Sequence, residues 1–269
     1  MAGSGTSPLA AVFARSNEEG RGALVGYLPA GFPTVTAGID AMLAMADGGC
    51  DLIEVGVPYT DPVIDGPTIQ AAAHRALRAG VRTADVLHTV EALSAHGVPA
   101  VVMTYWNPIV RYGVDRFAGD LVAAGGAGII TPDLIPDEAA EWIAASDAHG
   151  LDRIFLIAPS SSDARIAATA AACRGFLYAT SVMGVTGARD RTSDLAPALV
   201  AKARAHTGLP IGVGLGVKDA DQAAAVASYA DAVIVGSAFC QRILDAPDDH
   251  AGVAAAGQLA GELARGVRR

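Results

Sequence analysis

The chain has 269 residues, of which 52% are hydrophobic, and 28 acidic against 19 basic residues give it a formal net charge of −9. Its Lys and Arg residues form no run longer than two, which argues against a nucleic-acid partner because phosphate backbones are bound mainly through such clusters. No basic segment precedes an apolar core near the N-terminus, and no apolar run approaches the ~18 residues of a membrane span, so we expect neither a signal peptide nor a membrane segment.

Eight apolar runs recur along the chain and predict eight strands. Each run is nearly continuous in hydrophobicity, which is typical of parallel strands that are covered on both faces. In chain order the predicted strands are 23–28, 51–57, 99–105, 126–131, 153–158, 175–181, 210–214 and 231–236.

The segments between these strands have helix signals. PTIQAAAHRALRAG at 67–80 begins with Pro67 and ends with Gly80, as helices commonly do. SDARIAATAAACRG at 162–175 and DADQAAAVASYA at 219–230 each begin with Ser or Asp, which favours a helix start.

The alternation of strands and helices predicts an α/β fold with a parallel sheet. Eight repeats of the unit indicate a closed (β/α)8 TIM barrel, and an open doubly wound sheet is the alternative. Because no linker or shift of composition interrupts the chain, we expect one TIM-barrel domain spanning 1–269.

The second strand contains a carboxylate, and its position makes it a candidate site residue. Side chains alternate along a strand, so Leu52, Glu54 and Gly56 share one face of DLIEVGV. Active sites of barrels lie at the carboxyl ends of the strands. If this face points into the barrel, desolvation raises the pKa of Glu54 towards a value useful for proton transfer. The alternative is a salt bridge at the rim of the barrel.

The loop VPYTDPVIDGP that follows is long for a strand-to-helix connection, and long loops often carry function. Asp61 before Pro62 and Asp65 before Gly66 are also ordinary turn residues. A second carboxylate on the loop after Glu54 is nevertheless consistent with an acid–base pair.

Three glycine-rich segments follow the last strands: 183–190, 212–217 and 236–239. In a barrel, the loops after the last strands and a short helix, here beginning at Ser237, commonly bind phosphate. The glycines of GVGLGV lack the spacing of a dinucleotide fingerprint. Tyr178, within the sixth strand, is either a core residue or a polar group that faces the barrel.

Cysteines and histidines give no sign of a metal site. Cys50, Cys173 and Cys240 are an odd, widely spaced set, which is typical of reduced thiols in the cytoplasm. The six histidines have no ligand spacing, so we predict a cytoplasmic chain without a metal.

The segment EVGVPYTDPVIDGPTIQ closely resembles the signature of the tryptophan synthase alpha subunit, E-x-G-x-P-[FY]-S-D-P-x-x-D-G-P-x-I-Q. Further blocks that resemble this family follow in the same order over nearly the whole chain. They are YLPAGFP, MTYWNPI, TPDLIPDEA, FLIAPSSSDARI, SVMGVTGARD, VGLGV and IVGSAF.

The resemblance implies retro-aldol cleavage of indole-3-glycerol phosphate to indole and D-glyceraldehyde 3-phosphate. It assigns general acid–base catalysis to Glu54, contact with the indole N–H to Asp65, and substrate positioning to Tyr178. It places Thr186 in a loop that closes over the site. The phosphate would be bound by backbone groups of Gly187, Gly216, Gly236 and Ser237.

The same resemblance implies a partner, the tryptophan synthase beta subunit, in an αββα tetramer through which indole passes in a tunnel. Pro58 and Asp61 would contact that subunit, which would hold pyridoxal phosphate, whereas no cofactor is expected in this chain. A stand-alone lyase that releases free indole is the alternative function. Leu215 and Ile135 depart from the family pattern: Leu215 replaces a phenylalanine that packs on the indole, and Ile135 replaces a proline in the partner-facing loop.

Overall fold

Nine strands, each parallel to its neighbours, lie in the part of the chain that the computed structural model describes, residues 7–180 and 195–269. They are β1 Ala23–Pro29, β2 Leu52–Gly56, β3 Ala100–Met103, β4 Gly128–Ile130, β5 Asp152–Ile154, β6 Leu156–Ile157, β7 Leu177–Thr180, β8 Ile211–Gly214 and β9 Ala232–Val235. Each overlaps one of the predicted runs, and the fifth run contains both β5 and β6.

The sheet has the order β5-β4-β3-β2-β1-β9-β8-β7-β6, so its two edge strands are consecutive in the chain. Only Phe155 separates β5 from β6, and its N–H donates to Sγ of Cys173 at 3.4 Å. The sheet therefore closes on itself through the divided fifth strand. This confirms the predicted (β/α)8 barrel and excludes the open doubly wound sheet.

Twelve α-helices accompany these strands in the described part of the chain. They are α1 Ala10–Glu18, α2 Val35–Asp47, α3 Pro67–Arg78, α4 Thr83–Ala95, α5 Trp106–Tyr112, α6 Val114–Ala123, α7 Ala140–His149, α8 Asp163–Ala172, α9 Leu195–Arg204, α10 Ala220–Ala227, α11 Ser237–Leu244 and α12 Asp249–Gly266. A short 3-10 helix spans Pro136–Glu138. None of the described helices is long and apolar enough to cross a bilayer.

The helix starts follow the predicted signals. Helix α3 begins at Pro67, and α8 and α10 begin after Ser162 and Asp219. The Ser162 hydroxyl accepts from the Arg165 N–H at 3.2 Å, and the Asp219 carboxylate accepts from the Gln222 N–H at 2.8 Å. These capping bonds satisfy N–H groups that have no partner within the helix.

Alternation along β2 divides its side chains between two apolar layers. Ile53 and Val55 belong to the cluster under the helices, whereas Leu52 belongs to the cluster inside the barrel. Phe13 of α1 closes the amino-terminal end of that inner cluster by packing on Phe176, with ring centroids 5.6 Å apart. The predicted inward face of β2, which includes Glu54, is thereby confirmed.

Candidate active site

A cavity opens at the carboxyl ends of the strands, above the inner apolar cluster. Its interior is narrow, with a volume of about 70 Å³. Its walls combine apolar side chains with a few polar groups, the usual composition of a small-molecule site. The lining residues are Tyr27, Glu54, Ile64, Asp65, Ile69, Met103, Leu156, Tyr178, Thr180, Gly214, Gly216, Ile234, Gly236 and Ser237.

Glu54 lies at the base of this cavity and is 1% exposed. Neither carboxyl oxygen has a hydrogen-bond partner among the described residues, so the structure gives no support to a salt bridge at the rim. Burial raises the pKa of Glu54 to about 8 because the charged form is desolvated. An unpaired buried carboxyl of this kind is costly for a fold and typical of a site that moves protons.

Asp65 enters the same cavity from the loop after β2. Burial raises its pKa to about 6, and hydrogen bonding to the Tyr105 side chain opposes that rise. The two carboxyl groups therefore titrate in different ranges, with Asp65 ionised and Glu54 protonated near pH 7. Such a separation commonly assigns base and acid roles to two groups.

Tyr105 is a residue of the site to which sequence analysis gave no role. Its hydroxyl accepts hydrogen bonds from the N–H groups of Val63 and Ile64, each at 3.1 Å, and so fixes the loop next to Asp65. Tyr59 packs on the Tyr105 ring, with centroids 5.2 Å apart. In the sequence, Tyr105 is marked only by its place at the end of the predicted third strand, within MTYWNPI.

Two tyrosines span the upper layer of the barrel, and glycines make room for both. A methyl group at Gly214 would lie 2.4 Å from the Tyr178 hydroxyl, and one at Gly56 would lie 2.5 Å from the Tyr27 hydroxyl. Tyr178 was a predicted site residue, and the structure brings it into the cavity. Tyr27 was not predicted, because a lone tyrosine in an apolar strand is indistinguishable from a core residue.

The phosphate-binding residues predicted at the end of the chain also meet in this cavity. Gly216, with φ of 74°, Gly236 and Ser237 line it, and Ser237 is the first residue of α11. Backbone N–H groups and the helix dipole favour an anion there. Gly187 and Thr186, with the rest of the predicted closing loop at 183–193, lie outside the described residues.

Three further predicted site residues, Leu215, Pro58 and Asp61, are not among the described residues that line the cavity. Leu215 is half-buried against the apolar layer under the helices. Pro58 is buried and Asp61 is exposed on the loop after β2. Val63 and Ile135, on the loops after β2 and β4, are large exposed hydrophobics at 67% and 45%.

Nothing in the described ranges resembles a metal centre, since no three His, Cys, Asp or Glu side chains there converge. The groups that the cavity presents are two carboxyls with separate pKa values, tyrosine hydroxyls and a helix start that favours an anion. This set suits proton transfer on a phosphorylated substrate that carries an apolar group.

Comparisons with known proteins agree on one family. A family model described as the tryptophan synthase alpha chain matches residues 13–268. A tryptophan synthase alpha chain from Acidothermus cellulolyticus is 64% identical over 255 residues, 95% of each chain. One from Thermobifida fusca is 60% identical over 258 residues, covering 95% of this chain and 96% of the relative.

Solved structures give the same result. A structure of Mycobacterium tuberculosis tryptophan synthase superposes with a TM-score of 0.93 at 57% identity and covers 98% of this chain and 100% of that chain. The tryptophan synthase subunit alpha of Legionella pneumophila superposes with a TM-score of 0.86 at 32% identity, covering 98% of this chain and 99% of that chain.

Proposed function

Because the chain belongs to the tryptophan synthase alpha chain family, whose alpha reaction cleaves indole-3-glycerol phosphate, we propose that it performs this lyase reaction with Glu54 as general acid–base and Asp65 as the second catalytic carboxylate. The observation that carries the assignment is the buried, unpaired carboxyl of Glu54 in a cavity shared with Asp65.

Glu54 begins the reaction in its protonated form. It gives its proton to the indole carbon that bears the glycerol chain, and the ring nitrogen becomes positively charged. Asp65, as a carboxylate, accepts a hydrogen bond from the ring N–H and stabilises that charge.

The resulting Glu54 carboxylate then takes the proton of the hydroxyl on the adjacent carbon. As the carbon–carbon bond breaks, its electrons neutralise the ring, and the oxygen becomes the carbonyl of D-glyceraldehyde 3-phosphate. Glu54 ends protonated, so one group serves as acid and base in a single turnover. Tyr178 positions the substrate beside it. Proton transfer of this kind contributes on the order of 10²–10⁴ in rate.

The phosphate group of the substrate would be held at the start of α11 by backbone N–H groups of Gly216, Gly236 and Ser237. The predicted roles of Gly187 in phosphate binding, Thr186 in loop closure and Leu215 beside the indole complete the proposal. The buried Ser237 supports the phosphate site, since a dry anion site strengthens its hydrogen bonds.

An alpha chain of this family implies a beta-subunit partner. We infer that two copies of each chain form an αββα tetramer, in which Pro58 and Asp61 lie at the contact with the beta subunit. Pyridoxal phosphate would be bound by the beta subunit alone. Val63 and Ile135 support this surface, because both are large exposed apolar side chains on loops at the carboxyl ends of the strands. We likewise propose that 1–269 is one domain and that the protein is cytoplasmic.

The test is indole release from indole-3-glycerol phosphate by the purified chain, with and without a beta subunit. We expect slow release by the chain alone and strong acceleration by the partner. Fast release with no response to the partner would assign the chain as a stand-alone lyase. No release under either condition would refute the catalytic assignment.

A further inference from the structure

Tyr27 extends across the cavity from its phosphate end to its carboxylate end. At one end, a methyl group at Gly236 would lie 3.0 Å from Cδ1 of the Tyr27 ring. At the other, the hydroxyl occupies the space beside Gly56, within 2.5 Å of where a methyl group would be. Tyr27 is also the residue of β1 that pairs with Glu54 of β2. The ring thus runs along the path between the phosphate site and Glu54.

The hydroxyl of Tyr27 makes no hydrogen bond to any described residue, although the side chain is only 8% exposed. Because this hydroxyl is not among the buried side-chain atoms that lack a partner, it reaches open space in the cavity, where a phenylalanine would offer no polar group. Gly56 and Gly236 are needed because a side chain at either position would collide with the Tyr27 ring. Neither glycine forms a hydrogen bond that would account for the hydroxyl. The fold of the ligand-free chain therefore gives no reason for a hydroxyl here, and a bound ligand does.

The substrate has one polar group that the proposed function leaves without a partner. The phosphate, the indole N–H and the hydroxyl next to the ring are assigned to α11, Asp65 and Glu54. The second glycerol hydroxyl, which survives in D-glyceraldehyde 3-phosphate, lies between the phosphate and the reacting carbon. The Tyr27 ring extends along this interval and places its own hydroxyl at the carboxylate end. The carbon that bears the second hydroxyl of the substrate is bonded directly to the reacting carbon held there.

From this match we infer that the Tyr27 hydroxyl hydrogen-bonds the second glycerol hydroxyl of the substrate and is a specificity-determining residue for it. The inference rests on the proposed function and adds to it one more group of the substrate, the second glycerol hydroxyl, that the site recognises. It separates Tyr27 from Tyr178, whose hydroxyl lies beside Gly214 of β8 and serves the reacting part of the substrate.

Tyr27→Phe removes the hydroxyl and leaves the ring in place. In the cleavage direction we expect kcat/KM for indole-3-glycerol phosphate to fall about 3–10-fold, the loss of one neutral hydrogen bond. In the synthesis direction the KM for D-glyceraldehyde 3-phosphate should rise by a similar factor, whereas the KM for indole stays within twofold. The inhibition constant of 3-(indol-3-yl)propyl phosphate, which lacks both hydroxyls, should also stay within twofold.

Tyr229→Phe is the matched control, since Tyr229 is half-buried beside the cavity at the opposite end of the barrel. It should change none of these constants. If Tyr27→Phe weakens the propyl phosphate as much as the substrate, the tyrosine has only a packing role and the inference is wrong. Unchanged kcat/KM would also overturn it. Failure of the proposed function is distinct, because the parent chain itself would then release no indole.

Discussion

Tyr105 holds Asp65 in place through the backbone of the loop that carries it. The Tyr105 hydroxyl accepts from the N–H groups of the two residues before Asp65, each at 3.1 Å, and its hydrogen bond to the carboxylate favours the charged form. Tyr105 comes from the end of β3 and Asp65 from the loop after β2. The position of Asp65 in the cavity is thus fixed by a residue that follows the neighbouring strand β3.

Tyr105→Phe should therefore impair catalysis through Asp65. Without the hydroxyl, the pKa of Asp65 rises above its present value of about 6, so a smaller fraction is ionised at neutral pH. We expect kcat/KM at pH 7 to fall about 3–10-fold and the acid limb of its pH profile to move to higher pH. Tyr112→Phe, which removes a hydroxyl bonded to Asp120 on α6, is the control. An acid limb at the parental pH would contradict the role of Tyr105.

The parent chain should have a bell-shaped dependence of kcat/KM on pH. Activity should rise as Asp65 ionises, near pH 6, and fall as Glu54 loses the proton that it must donate, near pH 8. The measurement is the cleavage of indole-3-glycerol phosphate across pH 5–9.5, a range chosen to extend roughly one unit beyond both values. Activity that kept rising above pH 8 would show that Glu54 must start as a carboxylate.

Glu54→Gln should stabilise the fold at alkaline pH. The pKa of Glu54 rises on folding from 4.5 to about 8, so the unfolded chain releases this proton at lower pH. The group's contribution to stability is therefore present below pH 4.5 and is lost as the pH rises towards 8. Urea unfolding at several pH values should show the variant gaining up to roughly 5 kcal/mol over the parent as the pH rises. A difference that does not change with pH would contradict the raised pKa.

Gly214→Ala should damage the site without unfolding the barrel. The added methyl group would lie 2.4 Å from the Tyr178 hydroxyl, so the tyrosine must move. We expect kcat/KM to fall on the order of 10–100-fold, since small displacements of positioning groups are costly. Gly208→Ala, where no atom lies within 4 Å of the new methyl group, should keep parental activity. Equal activity of the two variants would mean that the position of Tyr178 is unimportant.

Much of the fold was predictable because its signals are local. The predicted strand 51–57 differs from β2 by one residue at each end, and Pro67, Ser162 and Asp219 mark helix starts in the sequence as in the structure. The division of the fifth strand was not predictable. It arises where the Phe155 N–H bonds to Cys173, a residue 18 positions later that only tertiary folding brings near.

The same distinction between local signals and tertiary contacts applies to the candidate site. Glu54 and Asp65 were found because both lie on one strand and its loop, and a carboxylate in an apolar strand is conspicuous. Tyr27 on β1 and Tyr105 just after β3 were missed because each resembles a core residue. Their polar roles exist only after barrel closure places β1 and β3 on either side of β2.

The most direct test of the central claim is indole release in a single turnover by Glu54→Gln. The amide keeps the size of the side chain but cannot donate or accept the catalytic proton, so we expect the rate to fall on the order of 10²–10⁴ below that of the parent. Glu91→Gln, on the exposed face of α4, should release indole at the parental rate. A Glu54→Gln chain as fast as the parent would contradict the assignment of Glu54 as the general acid–base.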